Sequence, residues 1–145
     1  MMKTIYLIRH GEIDKSSLFL DENGIKFSEK IVEYFSDIEL TYLTSSNVIR
    51  CIETILPLSK DKKLNINTFD DYSFKSLLPL SYCKSHENTK SLICYRLEFL
   101  NCLLIDLNQE PINNDKESKD KLYNQIIQIQ IDDKYEIKSE YIKLN

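Results

Sequence analysis

Two arginines and one histidine stand out in this sequence because their types and positions suit phosphate chemistry. Arg9 and His10 follow the short apolar run Thr4–Ile8, and Arg50 follows Ser46 further along the chain. Lys and Arg together number 19, and only three of these are arginine, so arginine is an unusual choice here. A planar guanidinium binds two phosphate oxygens at once, whereas a lysine ammonium is a hydrated point charge. The set therefore predicts a phosphate-binding site.

His10 would supply a nucleophile to this predicted site. A neutral imidazole nitrogen can attack phosphorus and carry the phosphoryl group, while the guanidinium groups of Arg9 and Arg50 neutralise the phosphate oxygens. This chemistry needs no metal and no cofactor. The residues therefore predict phosphoryl transfer through a phosphohistidine at His10.

These side chains can meet only if the elements that carry them share one edge of a sheet. Thr4–Ile8 is a nearly continuous apolar run, typical of a strand buried on both faces of a parallel sheet. A second strand is predicted at Leu40–Thr44, followed by a helix that one of the next two serines caps and that Pro57 ends. Arg50 would lie in the first turn of that helix, whose N-terminus favours anions, beside His10.

The remaining pattern predicts an α/β fold with a mostly parallel sheet flanked by helices. The sequence predicts a helix over Glu22–Phe35, with Asp21 as its N-cap, and a third strand over Leu64–Phe69. These elements complete a βαβαβ order. The sequence then predicts a loop at Tyr72–Ser85, a long amphipathic helix from about Asn88 to Leu107, a polar, mobile stretch at Gln109–Lys121 and a C-terminal β-hairpin over Ile127–Tyr141. A single domain spanning residues 1–145 is expected.

Three segments resemble motifs of the histidine phosphatase (phosphoglycerate mutase-like) superfamily. Thr4–Glu12 resembles its first strand and R-H-G-E motif, Leu20–Gly24 its L-T-x-x-G motif, and Thr44–Thr54 its S-P-L-x-R-x-x-x-T segment. Together they cover about the first 56 residues. The resemblance implies the phosphoglycerate mutase-like fold, phosphate binding by Arg9 and Arg50, and His10 as the nucleophile.

The resemblance also implies a second histidine after a later strand, and three alignments are open for it. In the first, His86, the one other histidine, takes this place just before the predicted long helix. In the second, Ser91–Arg96 forms the strand, and Arg96 stands where the histidine is expected. In the third, Glu87–Leu104 is the helix that precedes this strand, and the strand itself is deleted.

A general acid is expected after the third strand, where the superfamily carries a carboxylate. Asp70 and Asp71 follow Phe69 there, and Asp71 is the candidate acid, although two aspartates are equally typical of an exposed turn. A carboxyl group that acts as an acid needs a raised pKa, which requires burial or a like-charged neighbour.

Composition narrows the class of ligand. A net charge of -4 and a pI near 5.2 do not indicate binding to nucleic acid or to an anionic membrane. The four cysteines have no metal-binding spacing and are expected to be free buried thiols. With no signal peptide pattern, a cytoplasmic location is expected.

The function expected from these observations is that of a metal-independent phosphomonoesterase. The chain is short, and a small open pocket suits a small phosphomonoester or a phosphoprotein better than a mutase reaction, which must retain its substrate. The alternative is a catalytically impaired member of the superfamily that binds a phospho-ligand or a protein partner.

Overall fold

The computed structural model describes residues 3–69 and 90–145 of the chain. Its strands are β1 (Lys3–Arg9), β2 (Tyr42–Ser46), β3 (Ile66–Phe69), β4 (Lys90–Tyr95), β5 (Gln125–Ile131) and β6 (Ile137–Lys143). Its helices are α1 (Glu22–Tyr34), α2 (Ile49–Lys62), α3 (Leu97–Asp106) and α4 (Lys116–Lys121), and a 3-10 turn follows at Leu122–Asn124.

The described strands form one sheet in the order β3-β2-β4-β1-β5-β6. The first four strands of this order are parallel, whereas β5 pairs antiparallel with β1 and β6 pairs antiparallel with β5. The predicted α/β fold with a mostly parallel sheet flanked by helices is confirmed, and so is the C-terminal β-hairpin.

The central residues of strand β1, Ile5–Ile8, are apolar and buried because helices cover both faces of the sheet. Ile5 and Leu7 pack into the cluster on the side of α3, and Tyr6 and Ile8 pack into the cluster on the side of α1 and α2. Each strand residue points to the face opposite its neighbour, so a strand covered on both sides needs no polar position. His10 therefore follows a strand that is held firmly from both faces.

Helix α2 differs in both bounds from the sequence-based prediction. It begins with Val48 as N-cap, and the Ser46 hydroxyl accepts a hydrogen bond from the Val48 N–H at 3.2 Å instead of capping the helix. It also continues through Pro57, so the predicted stop there was wrong. Leu58 is fully buried beyond the proline and extends the apolar stripe that includes Ile55. Burying Leu58 contributes about 1.5–3 kcal/mol, which offsets the cost of a helical proline, about 3 kcal/mol.

The predicted long helix from Asn88 to Leu107 was wrong in its first half. Lys90–Tyr95 is β4, which lies between β1 and β2, and helix α3 begins only at Leu97. Ser91–Tyr95 is buried at every position. Because a strand buried on both faces has no polar alternation, its apolar residues were equally compatible with helical spacing.

The stretch Gln109–Lys121, predicted to be polar and mobile, contains helix α4. The Asp115 carboxylate caps it by accepting from the Ser118 N–H at 2.8 Å, and an exposed Glu117–Lys121 ion pair spans one turn. These local interactions form a short helix without any apolar stripe.

Several other expectations have a mixed outcome. Cys51 and Cys94 are free and buried as expected, but Cys102 is exposed on α3, so the prediction of a buried thiol was wrong there. Cys83 and the predicted loop Tyr72–Ser85 lie outside the described residues. Within residues 3–69 and 90–145, no helix is long and apolar enough to cross a membrane.

Candidate active site

The predicted site residues that the structure describes, Arg9, His10 and Arg50, end or follow strands at the edge of the sheet where the parallel strands end. Arg9, the last residue of β1, pairs with Tyr95, the last residue of β4. His10 and Arg96 therefore leave the sheet at the same level on adjacent strands. Ligands of open α/β sheets bind at the carboxyl ends of the strands, and this edge is the candidate site.

His10 is held there as a buried, neutral imidazole. Its side chain is 6% exposed, and Nδ1 lies 2.8 Å from the Gly11 carbonyl oxygen. A carbonyl oxygen can only accept, so Nδ1 carries the proton and donates it, and Nε2 keeps a free lone pair. Burial lowers the pKa of His10 to about 4; the Gly11 hydrogen bond opposes this shift, while the charges of Arg9 and Arg50 add to it. The imidazole is therefore uncharged at neutral pH.

Both predicted arginines are close enough to act on His10. Burial lowers the pKa of the His10 imidazole most, and the positive charges of Arg9 and Arg50 each lower it further. Arg50 lies in the first turn of α2 and is half-buried. Arg9 thus ends the strand that precedes His10, and Arg50 begins the helix that follows β2, while their convergence on one phosphate stays a prediction.

A threonine ties the turn after β1 to the helix that carries Arg50. The Gly11 N–H donates to Thr54 Oγ1 at 2.9 Å, and the Thr54 hydroxyl donates to the Arg50 carbonyl oxygen at 2.7 Å. Thr54 is fully buried. This relay fixes the backbone of His10 relative to that of Arg50, although the two residues belong to different elements.

The two glycines of the chain are in contact at this turn. A Cβ atom on Gly24 would lie 2.2 Å from the Glu12 carbonyl oxygen, and one on Gly11 would lie 2.9 Å from the Gly24 Cα. Helix α1, whose Asp21 cap accepts from the Gly24 N–H at 2.8 Å as predicted, thus packs its first turn against the backbone after His10. Only glycine permits this approach at either position.

Arg96 stands at the first position after β4, as in the second alignment of the sequence. Its Nη1 lies 3.5 Å from Glu98 Oε1, and its Cζ lies 5.2 Å from the centroid of the Phe99 ring. The third alignment, in which the strand is deleted, was wrong because β4 is present. His86 precedes β4 in the sequence and lies outside the described residues, so its role stays a prediction.

The candidate acid also lies outside the described residues. Phe69, the last residue of β3, pairs with Ser46 of β2, so the chain leaves β3 at the same edge of the sheet. Asp70 and Asp71 follow Phe69 in the sequence, and the assignment of Asp71 stays a prediction.

Two residues near His10 were missed by reasoning from the sequence. Glu98 lies in the first turn of α3, and its negative charge raises the pKa of His10, against the effect of burial. The Tyr123 ring lies 6.3 Å from the His10 ring, centroid to centroid, and 4.3 Å from Arg9 Cζ. Glu98 could have been found from its spacing to Arg96, but nothing local in the sequence marks Tyr123.

The fold and this site define an α/β protein of the phosphoglycerate mutase-like class with a histidine at the end of its first strand. Residues 5–72 match the family model of the histidine phosphatase superfamily (branch 1). The resemblance seen in the sequence is therefore confirmed over these residues, where the chain is similar to the histidine phosphatase superfamily. A comparison with curated proteins found no match.

Solved structures share the fold over nearly the whole chain at low sequence identity. Mycobacterial hydrolase 1 is 10% identical, with a TM-score of 0.73 and 100% of both chains covered. Phosphoserine phosphatase from Entamoeba histolytica, solved with 3-phosphoglyceric acid, is 15% identical, with a TM-score of 0.69 and 99% of this chain and 98% of that chain covered. The protein histidine phosphatase SixA, solved with tungstate, is 16% identical, with a TM-score of 0.68 and 97% and 96% covered.

Proposed function

We propose that this protein is a metal-independent phosphomonoesterase that works through a phosphohistidine at His10. The observation that carries the proposal is a buried His10 imidazole whose Nδ1 is bonded to the Gly11 carbonyl oxygen and whose pKa is lowered to about 4 by burial and by the charges of Arg9 and Arg50. A nucleophile of this kind attacks an anionic phosphate only where positive charge offsets the repulsion, and Arg9 and Arg50 supply that charge.

The reaction has two displacements at phosphorus. In the first, the Nε2 lone pair of His10 forms the N–P bond, the ester P–O bond breaks, and the leaving alkoxide takes a proton from an acid. In the second, a water oxygen attacks phosphorus and the N–P bond breaks, which releases inorganic phosphate and returns His10 to its neutral form. The proposed role of Asp71 is to donate its carboxylic acid proton to the leaving oxygen in the first step. In the second step its carboxylate takes a proton from the water.

The proposed substrate is a small phosphomonoester or a phosphoprotein. Support comes from the structural neighbours described as a phosphoserine phosphatase and a protein histidine phosphatase, whose fold this chain shares. The three described cysteines are free thiols, which suits a reducing compartment, and we place the protein in the cytoplasm.

Hydrolysis of a generic aryl phosphate tests this function. Wild-type protein should release phosphate, and His10→Ala should abolish the release. Arg50→Gln should lower kcat/KM by at least about 100-fold, in line with the loss of a donor to a developing negative charge. Lys60→Gln removes the same charge from an exposed position on the same helix and should leave kcat/KM unchanged. No release by wild-type protein across aryl, sugar and amino-acid phosphates would refute turnover.

One observation favours a second candidate function, in which the protein binds a phospho-ligand without hydrolysing it. The residue after β4 is Arg96, and a guanidinium can bind phosphate but cannot give up a proton at neutral pH. Saturable binding of inorganic phosphate or vanadate by wild-type protein that shows no turnover would support this candidate.

A further inference from the structure

Arg9 is held from the C-terminal part of the chain. Its Nη1 donates to the Lys119 carbonyl oxygen at 2.9 Å, a contact between residues 110 positions apart. Its Cζ lies 4.3 Å from the centroid of the Tyr123 ring, which places the guanidinium over the face of the ring. Arg9 also has a side-chain hydrogen bond with Tyr123, and a guanidinium has five N–H donors, so others remain to serve a phosphate.

Tyr123 touches both members of the Arg9-His10 pair. Its ring is tilted by 56° to the His10 ring, with 6.3 Å between the centroids. Burial raises the pKa of the Tyr123 phenol, the Arg9 charge opposes this rise, and the charges of Asp120 and Glu12 add to it. The phenol therefore stays neutral at physiological pH and offers Arg9 an uncharged π face.

Residues on either side of Tyr123 fix its position. Leu122 is 2% exposed and belongs to the core cluster on the side of α3. The Asn124 side chain accepts from Lys30 Nζ of α1 at 3.1 Å and donates to the Leu144 carbonyl oxygen at 2.6 Å. The ring between these two anchors is thus a fixed platform.

We propose that Tyr123 is a positioning residue that holds the Arg9 guanidinium ready for phosphate. The inference rests on the proposed phosphate site but does not require turnover. A flexible arginine loses rotamer freedom when it binds an anion, and this loss weakens binding. A guanidinium already seated on the Tyr123 ring and bonded to Lys119 has lost that freedom on folding, so the anion binds more tightly.

Phosphate affinity of Tyr123 variants tests the proposal without relying on catalysis. Inorganic phosphate is titrated by calorimetry into wild-type, Tyr123→Leu, Tyr123→Phe and Tyr141→Leu proteins. Tyr123→Leu should raise the Kd for phosphate roughly two- to thirtyfold, the range expected for loss of a cation–π contact. Tyr123→Phe keeps the ring and should stay within about twofold of wild type, because most of the contact is with the ring face. Tyr141→Leu, a matched change on exposed β6, should bind as wild type does.

The outcomes separate this inference from the proposed function. Wild-type binding with an unchanged Kd in Tyr123→Leu would overturn the positioning role and leave the phosphate site intact. No phosphate binding by wild-type protein would refute the site and the positioning role together. If turnover is measurable, the loss in Tyr123→Leu should appear in KM more than in kcat, and Tyr123→Phe should restore it.

A measurement on wild-type protein covers the case in which Tyr123→Leu fails to fold. The chain has three arginines, so the side-chain NMR signals of Arg9 can be assigned by comparison with Arg9→Lys. Protons of Arg9 seated over the Tyr123 ring should be shifted upfield by its ring current. Shifts equal to those of a free arginine would overturn the proposal.

Discussion

The depressed pKa of His10 predicts how the stability of the protein depends on pH. Histidine in an unfolded chain titrates near pH 6.5, whereas burial and the charges of Arg9 and Arg50 lower the pKa of His10 in the folded protein to about 4. Between these two values the unfolded chain binds a proton that the folded protein does not, so acid favours unfolding. The difference between the two pKa values corresponds to about 3 kcal/mol in the free energy of unfolding. This contribution is present at pH 7 and is lost as the pH falls from about 6.5 to about 4.

Urea denaturation of wild-type and His10→Gln proteins at pH 7 and pH 4 measures this contribution. Between the two pH values the free energy of unfolding of the variant should fall by about 3 kcal/mol less than that of wild type, because the variant lacks the titrating group. His86 is present in both proteins and cancels from the comparison. Equal losses in the two proteins would refute the burial and charge arguments for His10.

NMR gives the same pKa directly. In His86→Gln protein, His10 is the one remaining histidine, so a single imidazole signal is followed with pH. It should titrate near pH 4 in phosphate-free buffer and at a higher pH when phosphate is added, since a bound dianion stabilises the imidazolium. A pKa near 6.5 without phosphate would contradict the described surroundings of the ring.

Two further predictions concern the backbone that positions His10. Gly24→Ala places a Cβ 2.2 Å from the Glu12 carbonyl oxygen and should lower the free energy of unfolding by about 1–3 kcal/mol. It should also weaken phosphate binding, whereas Asn23→Ala on the same helix should do neither. Chemical denaturation measures the first effect and calorimetry the second. Thr54→Val leaves the Gly11 N–H without its acceptor and should lower the free energy of unfolding by about 1–3 kcal/mol in the same denaturation assay. Thr54→Ser keeps the hydroxyl and should recover most of this loss. A valine variant as stable as wild type would show that the hydroxyl hydrogen bonds contribute nothing.

The part of the site that could be predicted from the sequence is the part built from local signals. The apolar run of β1, the Asp21 cap of α1 and the helix start that carries Arg50 each depend on residues close together in the chain. Because parallel strands end at the same edge of a sheet, these local predictions put the helix start that carries Arg50 at the same edge of the sheet as His10.

Other elements needed information that the local sequence does not contain. Ser91–Tyr95 is buried on both faces and therefore has no polar alternation to distinguish β4 from a helix. Pro57 normally stops a helix, and the burial of Leu58 beyond it depends on tertiary packing. The contact of Arg9 with Lys119 joins residues 110 positions apart, so no local pattern predicts it.

The charge placed around His10 has a consequence for the reaction. Burial and, to a lesser extent, the charges of Arg9 and Arg50 lower the pKa of the His10 imidazole to about 4, so the ring stays unprotonated in mildly acidic solution. In the proposed mechanism, the same guanidinium groups offset the negative charge of the phosphoryl oxygens once the phosphoryl group is attached. Under this proposal, Arg9 and Arg50 help burial to keep His10 neutral and also stabilise the phosphohistidine.

Capture of the phosphorylated protein is the decisive measurement, because the proposed function stands on phosphoryl transfer to His10 Nε2. Wild-type protein is mixed with an aryl phosphate, quenched in alkali within milliseconds and mapped by mass spectrometry. We expect an acid-labile, alkali-stable phosphate on the peptide that contains His10, attached at Nε2 and missing from His10→Ala. Turnover that leaves the phosphate on another residue, or that continues in His10→Ala, would contradict the mechanism.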